Sequence, residues 1–507
     1  MSILRSLALP VLFAATAVAP AAIAQCTYSW PAAAFGSGAD EAVLAATTLQ
    51  NGDLLLGGRF LTVQGTAATR VARWNGTTWQ PLGSGANLDV TALLQLANGD
   101  IVAGGAFTSI GGVGTNCIAR WNGAAWQALG GGIDAVAPFG TSVQAIVALP
   151  NGDLIVGGTF SAASGVPVAN IARWNGTAWS ALGTGCNGAV RGLAVTGSGD
   201  VVAAGSFTQA GGVVVNGVAR WNGTTWNAFG VGASAGVGTF GAATVAVQAN
   251  GDIVVGGVFV TAGGAAANRI ARWNGAAWSA LGTGCNGPVA ALLPLPNGEL
   301  VVGGQFTTAG GLPANRIAKW NGTTWSAFGA GTDGSVFELA LQGSGQVLVG
   351  GDFSQAGGTP QNRVASLASS CGPSVAAAGA GCTGAAGVPT LVATQLPMPG
   401  RTFRARGTNL PPLGLVLAVT GLSPTALPLS LALPQALPGC TLFANPDLID
   451  IATPVAGAAA TELNFGTNPA LVGIVFYHQY VPLAFDLSFA IVEVTSSNAL
   501  QVTIGSF

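Results

Sequence analysis

Charge is scarce in this chain of 507 residues. It has 16 basic and 18 acidic side chains, or 7% charged residues, against roughly a quarter in average proteins. The formal net charge of −2 leaves no basic footprint and argues against a nucleic-acid partner. Histidine is scarcer still. The only one is His478, so paired-histidine metal sites are ruled out, and no CxxC spacing offers a substitute. No G-x-S-x-G elbow lies near His478, which argues against reading it with Asp486 as part of a Ser-His-Asp triad. Beyond the N-terminus there is no unbroken apolar run of the 18 or so residues that a spanning helix needs. The apolar stretch from Pro411 to Leu437 is cut repeatedly by proline. No membrane span is therefore expected after signal cleavage.

The N-terminus has the one segment of a different kind. Met1-Ser2-Ile3-Leu4-Arg5 is followed by an apolar stretch from Leu7 to Val18 and then by Ala22-Ile23-Ala24. This is the pattern of a secretory signal peptide over residues 1–24. It places the mature protein outside the cytoplasm, secreted or at the cell surface, where disulfides form. Seven cysteines is an odd count, so at least one thiol is free or bridges elsewhere. Cys117 reads as a buried small side chain. Cys186 and Cys285 occupy equivalent places two repeats apart, too distant for a mutual bridge.

What is abundant is repetition. W-N-G-x-x-W occurs six times, beginning at Trp74, Trp121, Trp174, Trp221, Trp273 and Trp320, at steps of 47, 53, 47, 52 and 47 residues. Each copy follows a G/A-G-x-F segment, and a seventh such Phe, Phe353, has Leu367 where the Trp is expected. Each unit reads as four short strands joined by Asn-Gly-type hairpins, which is one propeller blade. Seven N-G-D-like turns give seven blades. Trp30 and Phe35-Gly36-Ser37-Gly38 match the fourth strand of other copies, with a spacing two residues longer. The N-terminal strand is thus expected to close the ring beside Leu367, removing an exposed edge. Cys26 and Cys371 then meet at the seam as a candidate disulfide.

Two positions change together across the copies. Asp53/Arg73, Asp100/Arg120, Asp153/Arg173, Asp200/Arg220 and Asp252/Arg272 become Glu299/Lys319 in the sixth and Gln346/Ser366 in the seventh. We read them as ion pairs within each blade, fixing register, in preference to a ring of catalytic or metal-binding carboxylates. The tryptophans read as packing between blades, because a single sugar site does not need six copies. The Asx residues 13 positions before each hairpin, Asp40, Asn87, Asn187, Asn286 and Asp333, read as local turns. The departures from the repeat are Arg191 and Glu338 in first strands, and Arg59 and Asp352 before the repeat Phe. These four are the candidate channel-mouth or seam residues, and Arg59 with Asp352 is the expected seam ion pair.

The run Val302-Gly303-Gly304-Gln305-Phe306 through Asn315-Arg316-Ile317-Ala318-Lys319-Trp320-Asn321-Gly322 resembles repeats of secreted bacterial kelch-like propellers and of fungal cortical cell-polarity markers. The resemblance implies a non-enzymatic surface or secreted protein without cofactor. The chemistry of kelch-type copper oxidases does not follow, because their His and Tyr ligands have no counterparts here. After a linker over residues 373–381, residues 382–507 read as a small β-sandwich. Gly381-Cys382, Pro438-Gly439-Cys440 and Ser497-Asn498-Ala499-Leu500 resemble a C-terminal domain of planctomycete-type secreted proteins, which implies a Cys382–Cys440 disulfide.

The expectation is an all-β, monomeric chain, with a seven-bladed propeller over residues 25–372 followed by a β-sandwich. It would serve as a non-enzymatic binding or scaffolding protein for an unknown protein or glycan at the cell surface. The alternative is an extracellular carbohydrate-active hydrolase or lyase with its site at the channel mouth.

Overall fold

A computed structural model describes residues 28–504 except 32–34, 135–139, 231–241, 370–373, 379, 398–401, 412–413, 432, 434, 439, 456, 466–474 and 487–490. Seven four-stranded antiparallel sheets form the propeller. The first strand of each blade is innermost: Val43–Thr48, Val90–Gln95, Ser142–Ala148, Val190–Val195, Ala242–Val247, Val289–Pro294 and Val336–Leu341. Each inner strand packs on the next, and the seventh packs on the first. The ring is closed by Tyr28–Ser29, which pairs with Ala368 and Ser369 as the outer strand of blade 7. The signal-peptide segment and both Cys26 and Cys371 lie outside the described residues.

The repeat motif has a physical reason at each position. Second strands such as Leu54–Gly58 are buried throughout and end in two glycines. A Cβ on Gly57 would lie 2.7 Å from Val90 Cγ1 of the next blade, and one on Gly58 would lie 2.2 Å from the Ala42 carbonyl oxygen. Glycine permits that approach, and blade 4, which has Ala204 in the place of Gly57, has Gly192 opposite it. The following Phe (Phe60, Phe107, Phe259, Phe306, Phe353) is fully buried, which contributes about 1.5–3 kcal/mol each. In the W-N-G turn, Gly76 has φ +95°, while Asn75 Oδ1 accepts the amides of Thr77 and Thr78. The Asn side chain thereby fixes the turn.

The second Trp of each copy binds one blade to the one before it. Trp126, Trp179, Trp226, Trp278 and Trp325 donate their indole N–H to the carbonyls of Leu82, Leu129, Leu182, Phe229 and Leu281. Trp30 makes the same bond to Phe328, so the N-terminal segment reproduces the repeat's own interface. Trp79 does not. Its indole N–H is buried with no acceptor among the described residues. Its ring packs against Phe35.

The C-terminal region is a sandwich. One sheet orders Ser374–Ala377, Ala499–Thr503, Val475–Phe485, Gly414–Gly421 and Leu448–Ala452, with Ile491–Val494 paired to Val475–Phe485. The other holds Thr390–Gln395, Thr402–Thr408 and Ala459–Asn464. Leu391, Phe403, Val416, Phe476, Tyr480 and Val502 fill the core between them. The linker expected over 373–381 is corrected: Ser374–Ala377 forms a strand paired with Leu500–Thr503. Its small residues fit an edge strand as readily as a linker, so composition alone misplaces it. Cys382 and Cys440 are disulfide-bonded, with Cα atoms 5.1 Å apart.

Candidate functional site

The repeated charges are engaged within their blades. Arg73, Arg120, Arg173 and Arg220 donate from Nε to Asp53, Asp100, Asp153 and Asp200 at 2.6–2.7 Å. Arg272 reaches Asp252 at 3.6 Å. The turn asparagine also donates to the same carboxylate, as Asn51 does to Asp53 at 3.0 Å. The acids are largely enclosed, whereas the Arg side chains are 38–47% exposed. Solvent screening therefore leaves each pair about 1 kcal/mol or less, and its geometric role in joining second and third strands dominates.

Blade 6 differs because it meets the closing strand. Lys319 Nζ lies 2.7 Å from Glu299, donates to the Tyr28 hydroxyl at 2.5 Å and sits 4.5 Å from the centre of that ring. The Lys319 side chain is only 13% exposed. Burial alone would lower its pKa, but the bonds to Glu299 and Tyr28 outweigh it and raise the pKa. Burial also pushes the Tyr28 phenol up. In blade 7, Gln346 and Ser366 keep the contact without charge: the Ser366 hydroxyl donates to Gln346 Oε1 at 2.5 Å.

The four residues that depart from the repeat do not converge. Arg59 pairs with Asp89 of blade 2 at 2.9 Å, which corrects the expected Arg59–Asp352 seam pair. Arg59 lies two residues beyond Gly57, on the strand face turned toward Val90, so its reach is forward to blade 2 and away from blade 7. Asp352 instead accepts the Ser335 amide within its own blade. Arg191 is exposed on the inner strand of blade 4. Glu338 lies on the inner strand of blade 7, three blades away around the ring.

Glu338 takes a place held by Ala45, Ala92, Ala145, Gly192, Thr244 and Ala291 in the other blades, each just past the inner-strand bulge. At the first three interfaces Leu93, Ile146 and Leu193 approach the facing glycine. At the seam the equivalent residue is the smaller Ala46, and it is Val43 and Glu338 Cβ that approach Gly350. Its carboxyl accepts the Leu339 amide, and burial pushes its pKa up to about 8.

The Asx positions do not make the local turns expected of them: each accepts amides 21 and 22 residues further on, in the segment after the repeat Phe of the same blade. Asp40 accepts the amides of Leu61 and Thr62. Asp333 accepts those of Ser354 and Gln355. Burial pulls these two acids upward, but the amide and hydroxyl bonds outweigh it and hold both below the usual value. Among the described residues no group of three His, Cys, Asp or Glu side chains could hold a metal. Cys117, Cys186 and Cys285 are buried free thiols. Burial raises their pKa to about 11, 12 and 12, and such thiols are unreactive. At the hairpin end of the channel a cavity of about 440 Å³ is lined by Thr47, Thr48 and Leu341 and by Gln395 and Arg404 of the sandwich. Arg404 is already bonded to Glu462 and Gln395.

In the sandwich, His478 lies in the core. Its ring nitrogens meet the hydroxyls of Thr420 and Thr461 at 2.8 and 2.9 Å, and burial lowers its pKa to about 4. Thr461 also bonds the Tyr480 hydroxyl. The imidazole is therefore a neutral element of a buried network.

Sequence reasoning missed the Tyr28–Lys319 contact and the Arg59–Asp89 pair. Both had a signal: Tyr28 is the propeller's only Tyr, and Asp89 is an acid outside the repeated positions.

A family model described as "Domain of unknown function (DUF5122) beta-propeller" matches residues 96–122, 149–176, 248–274, 295–321 and 342–369. No curated protein matches the chain. Among solved structures, the WD40 β-propeller domain of Doa1 is 14% identical, with a TM-score of 0.41, covering 65% of this chain and 94% of that one. The extracellular domain of a protein described as a hybrid two-component system from B. thetaiotaomicron is 10% identical with a TM-score of 0.41. That match covers 93% of this chain, which spans 58% of the other's length. The matches of the family model fall in five of the seven blades, and its description assigns the repeat no function.

Proposed function

We propose that the protein is a non-enzymatic binding or scaffolding platform that works outside the cytoplasm. One observation carries this reading: the repeated charges are spent on pairs within the blades, and of the ionisable residues that break the repeat, Arg59 is paired with Asp89, Asp352 with the Ser335 amide, and Glu338 is buried. General acid–base chemistry needs at least two such groups within reach of one substrate. The signal-peptide pattern at the N-terminus and the Cys382–Cys440 bridge support an extracytoplasmic location. The resemblance to kelch-like and cell-polarity repeats points the same way, and the planctomycete-type C-terminal domain is read as an attachment or sorting module. The partner is a protein or glycan of the cell surface, and the propeller acts as a monomer without metal or cofactor.

The purified mature chain should retain partners on glycan and surface-protein arrays and should show no turnover of a polysaccharide panel. Hydrolysis or elimination that disappears in Glu338→Gln or Arg191→Gln would overturn the reading in favour of a carbohydrate-active enzyme.

A further inference from the structure

Each inner strand carries a bulge, and the bulged residue is Leu44, Thr91, Gln144, Arg191, Ala243, Ala290 or Phe337 in blades 1–7. Arg191 is exposed and the other six are partly exposed, whereas most of the residues immediately flanking them in the strand are buried. An inner strand has blades packed on both faces and a hydrogen-bonded strand outside it. The solvent these residues meet is therefore that of the central channel, at the mouth opposite the Asn-Gly-Asp hairpins.

This ring is not uniform. Blades 2–4 contribute Thr91, Gln144 and Arg191, while blades 5 and 6 contribute only alanine. Blades 7 and 1 contribute Phe337 and Leu44. In a ring of seven, the blades facing blade 4 are 7 and 1. The single guanidinium thus looks across the channel at the two large apolar side chains. Thr91 is already bonded to the Val143 carbonyl and Gln144 to the Ser142 hydroxyl. Arg191 has no hydrogen-bond or ion-pair partner among the described residues. It is also the only base on the seven inner strands, and Glu338 is the only acid.

We propose that this mouth binds a small amphiphilic anion, with its carboxylate on Arg191 and its apolar body against Phe337 and Leu44. An unpaired guanidinium matches a carboxylate with two parallel N–H donors. An apolar wall across a narrow channel supplies the remaining contact. Glu338 lies beside Phe337, and burial keeps its carboxyl largely protonated near neutral pH, so it does not repel the ligand. The inference rests on reading the propeller as a binding platform and names one ligand class for it.

The test uses 2-naphthoate as the probe and 2-naphthalenemethanol as its uncharged counterpart, titrated by fluorescence into the mature full-length chain. Naphthoate should bind about 10-fold more tightly than the alcohol, the equivalent of one charge-assisted contact. Arg191→Gln should remove that advantage and leave the alcohol unaffected, while Arg191→Lys keeps part of it. Phe337→Ala, which copies the residue of blades 5 and 6, should weaken both probes about 5-fold. Arg59→Gln, on the same end of the ring but paired with Asp89, should change nothing. Equal binding of naphthoate to wild type and Arg191→Gln overturns the site, as does no binding at millimolar concentration. A partner captured on the arrays without naphthoate binding overturns this site alone and leaves the platform reading standing.

Discussion

Blades 2–5 and the ring closure solve the same packing problem by different means. Among the regular blades, each interface repeats an indole donated to the preceding blade, and in all but blade 4, where Ala204 takes the first place, a glycine pair pressed against its neighbours. Each of these blades also has an Asp–Arg pair joining its second and third strands. At the closure the outer strand comes from the other end of the chain, and each device changes. Trp30 keeps the indole bond, Trp79 has none among the described residues, Glu338 stands where the other blades have alanine, glycine or threonine, and Lys319 gains Tyr28. The lesson is that a repeat encodes the interface between two copies, whereas joining the ends requires residues that no other copy has.

The comparison breaks most visibly at tryptophan. Trp126→Ala removes a fully packed side chain between regular blades and should cost about 3–5 kcal/mol in denaturant unfolding. Trp30→Ala should cost less, because Trp30 is only partly buried, yet it should free the N-terminal strand. Limited proteolysis near residue 30 would then be accelerated in Trp30→Ala and unchanged in Trp126→Ala. Equal cleavage of the two variants would mean that the closure opens no more easily than any other interface.

The next contrast is between the two kinds of ion pair. Lys319→Met removes the cation from an enclosed site that holds Glu299 and Tyr28 and should approach the ~3 kcal/mol loss of a broken buried pair. Arg173→Met acts on a half-exposed pair and should cost about 1 kcal/mol or less. A double-mutant cycle between Lys319→Met and Tyr28→Phe measures the coupling directly. A coupling near zero would show that Tyr28 merely lies beside Lys319.

The blade fold was legible because its determinants are local: an Asn-Gly turn, a glycine pair and a tryptophan recur at a fixed step. The Asp–Arg contact was legible because paired positions changed together across copies. The same logic failed for Arg59 and Asp352. Adjacency of blades 7 and 1 suggested a partner, but side-chain direction is set by strand face, and Arg59 faces forward. The channel ring was hidden for a related reason. Arg191 and Phe337 sit at the bulges of their inner strands, and a bulge is a register feature with no residue signature in this repeat. In the sandwich, the strand at Ser374–Ala377 escaped notice because its pairing partner lies more than a hundred residues away.

Glu338 makes the closure sensitive to pH where the regular interfaces are not. Its carboxyl titrates near 8 in the fold but near the ordinary glutamate value of about 4.3 in the unfolded chain. The folded state therefore binds the extra proton between these values, and linkage makes stability fall as pH rises. The contribution is complete below about pH 4 and is lost by about pH 8. We expect a decline of about 3–4 kcal/mol between pH 5 and 8 in wild type, flattened in Glu338→Gln. An identical pH slope in the two proteins would place the titrating group elsewhere.

The smallest effect isolates the missing indole bond. Trp→Phe preserves most of the ring's apolar contact but removes the N–H. At Trp126 that deletes a hydrogen bond to the buried Leu82 carbonyl and leaves an orphaned acceptor, which should cost about 1 kcal/mol beyond the change in volume. At Trp79 the N–H has no acceptor among the described residues, so Phe relieves an unsatisfied donor while losing the same volume. The difference between Trp126→Phe and Trp79→Phe should therefore be about 1–2 kcal/mol in favour of Trp79→Phe. Equal losses would mean that solvent or the segment before Phe35 satisfies Trp79, and that the closure is bonded as fully as the interfaces it copies.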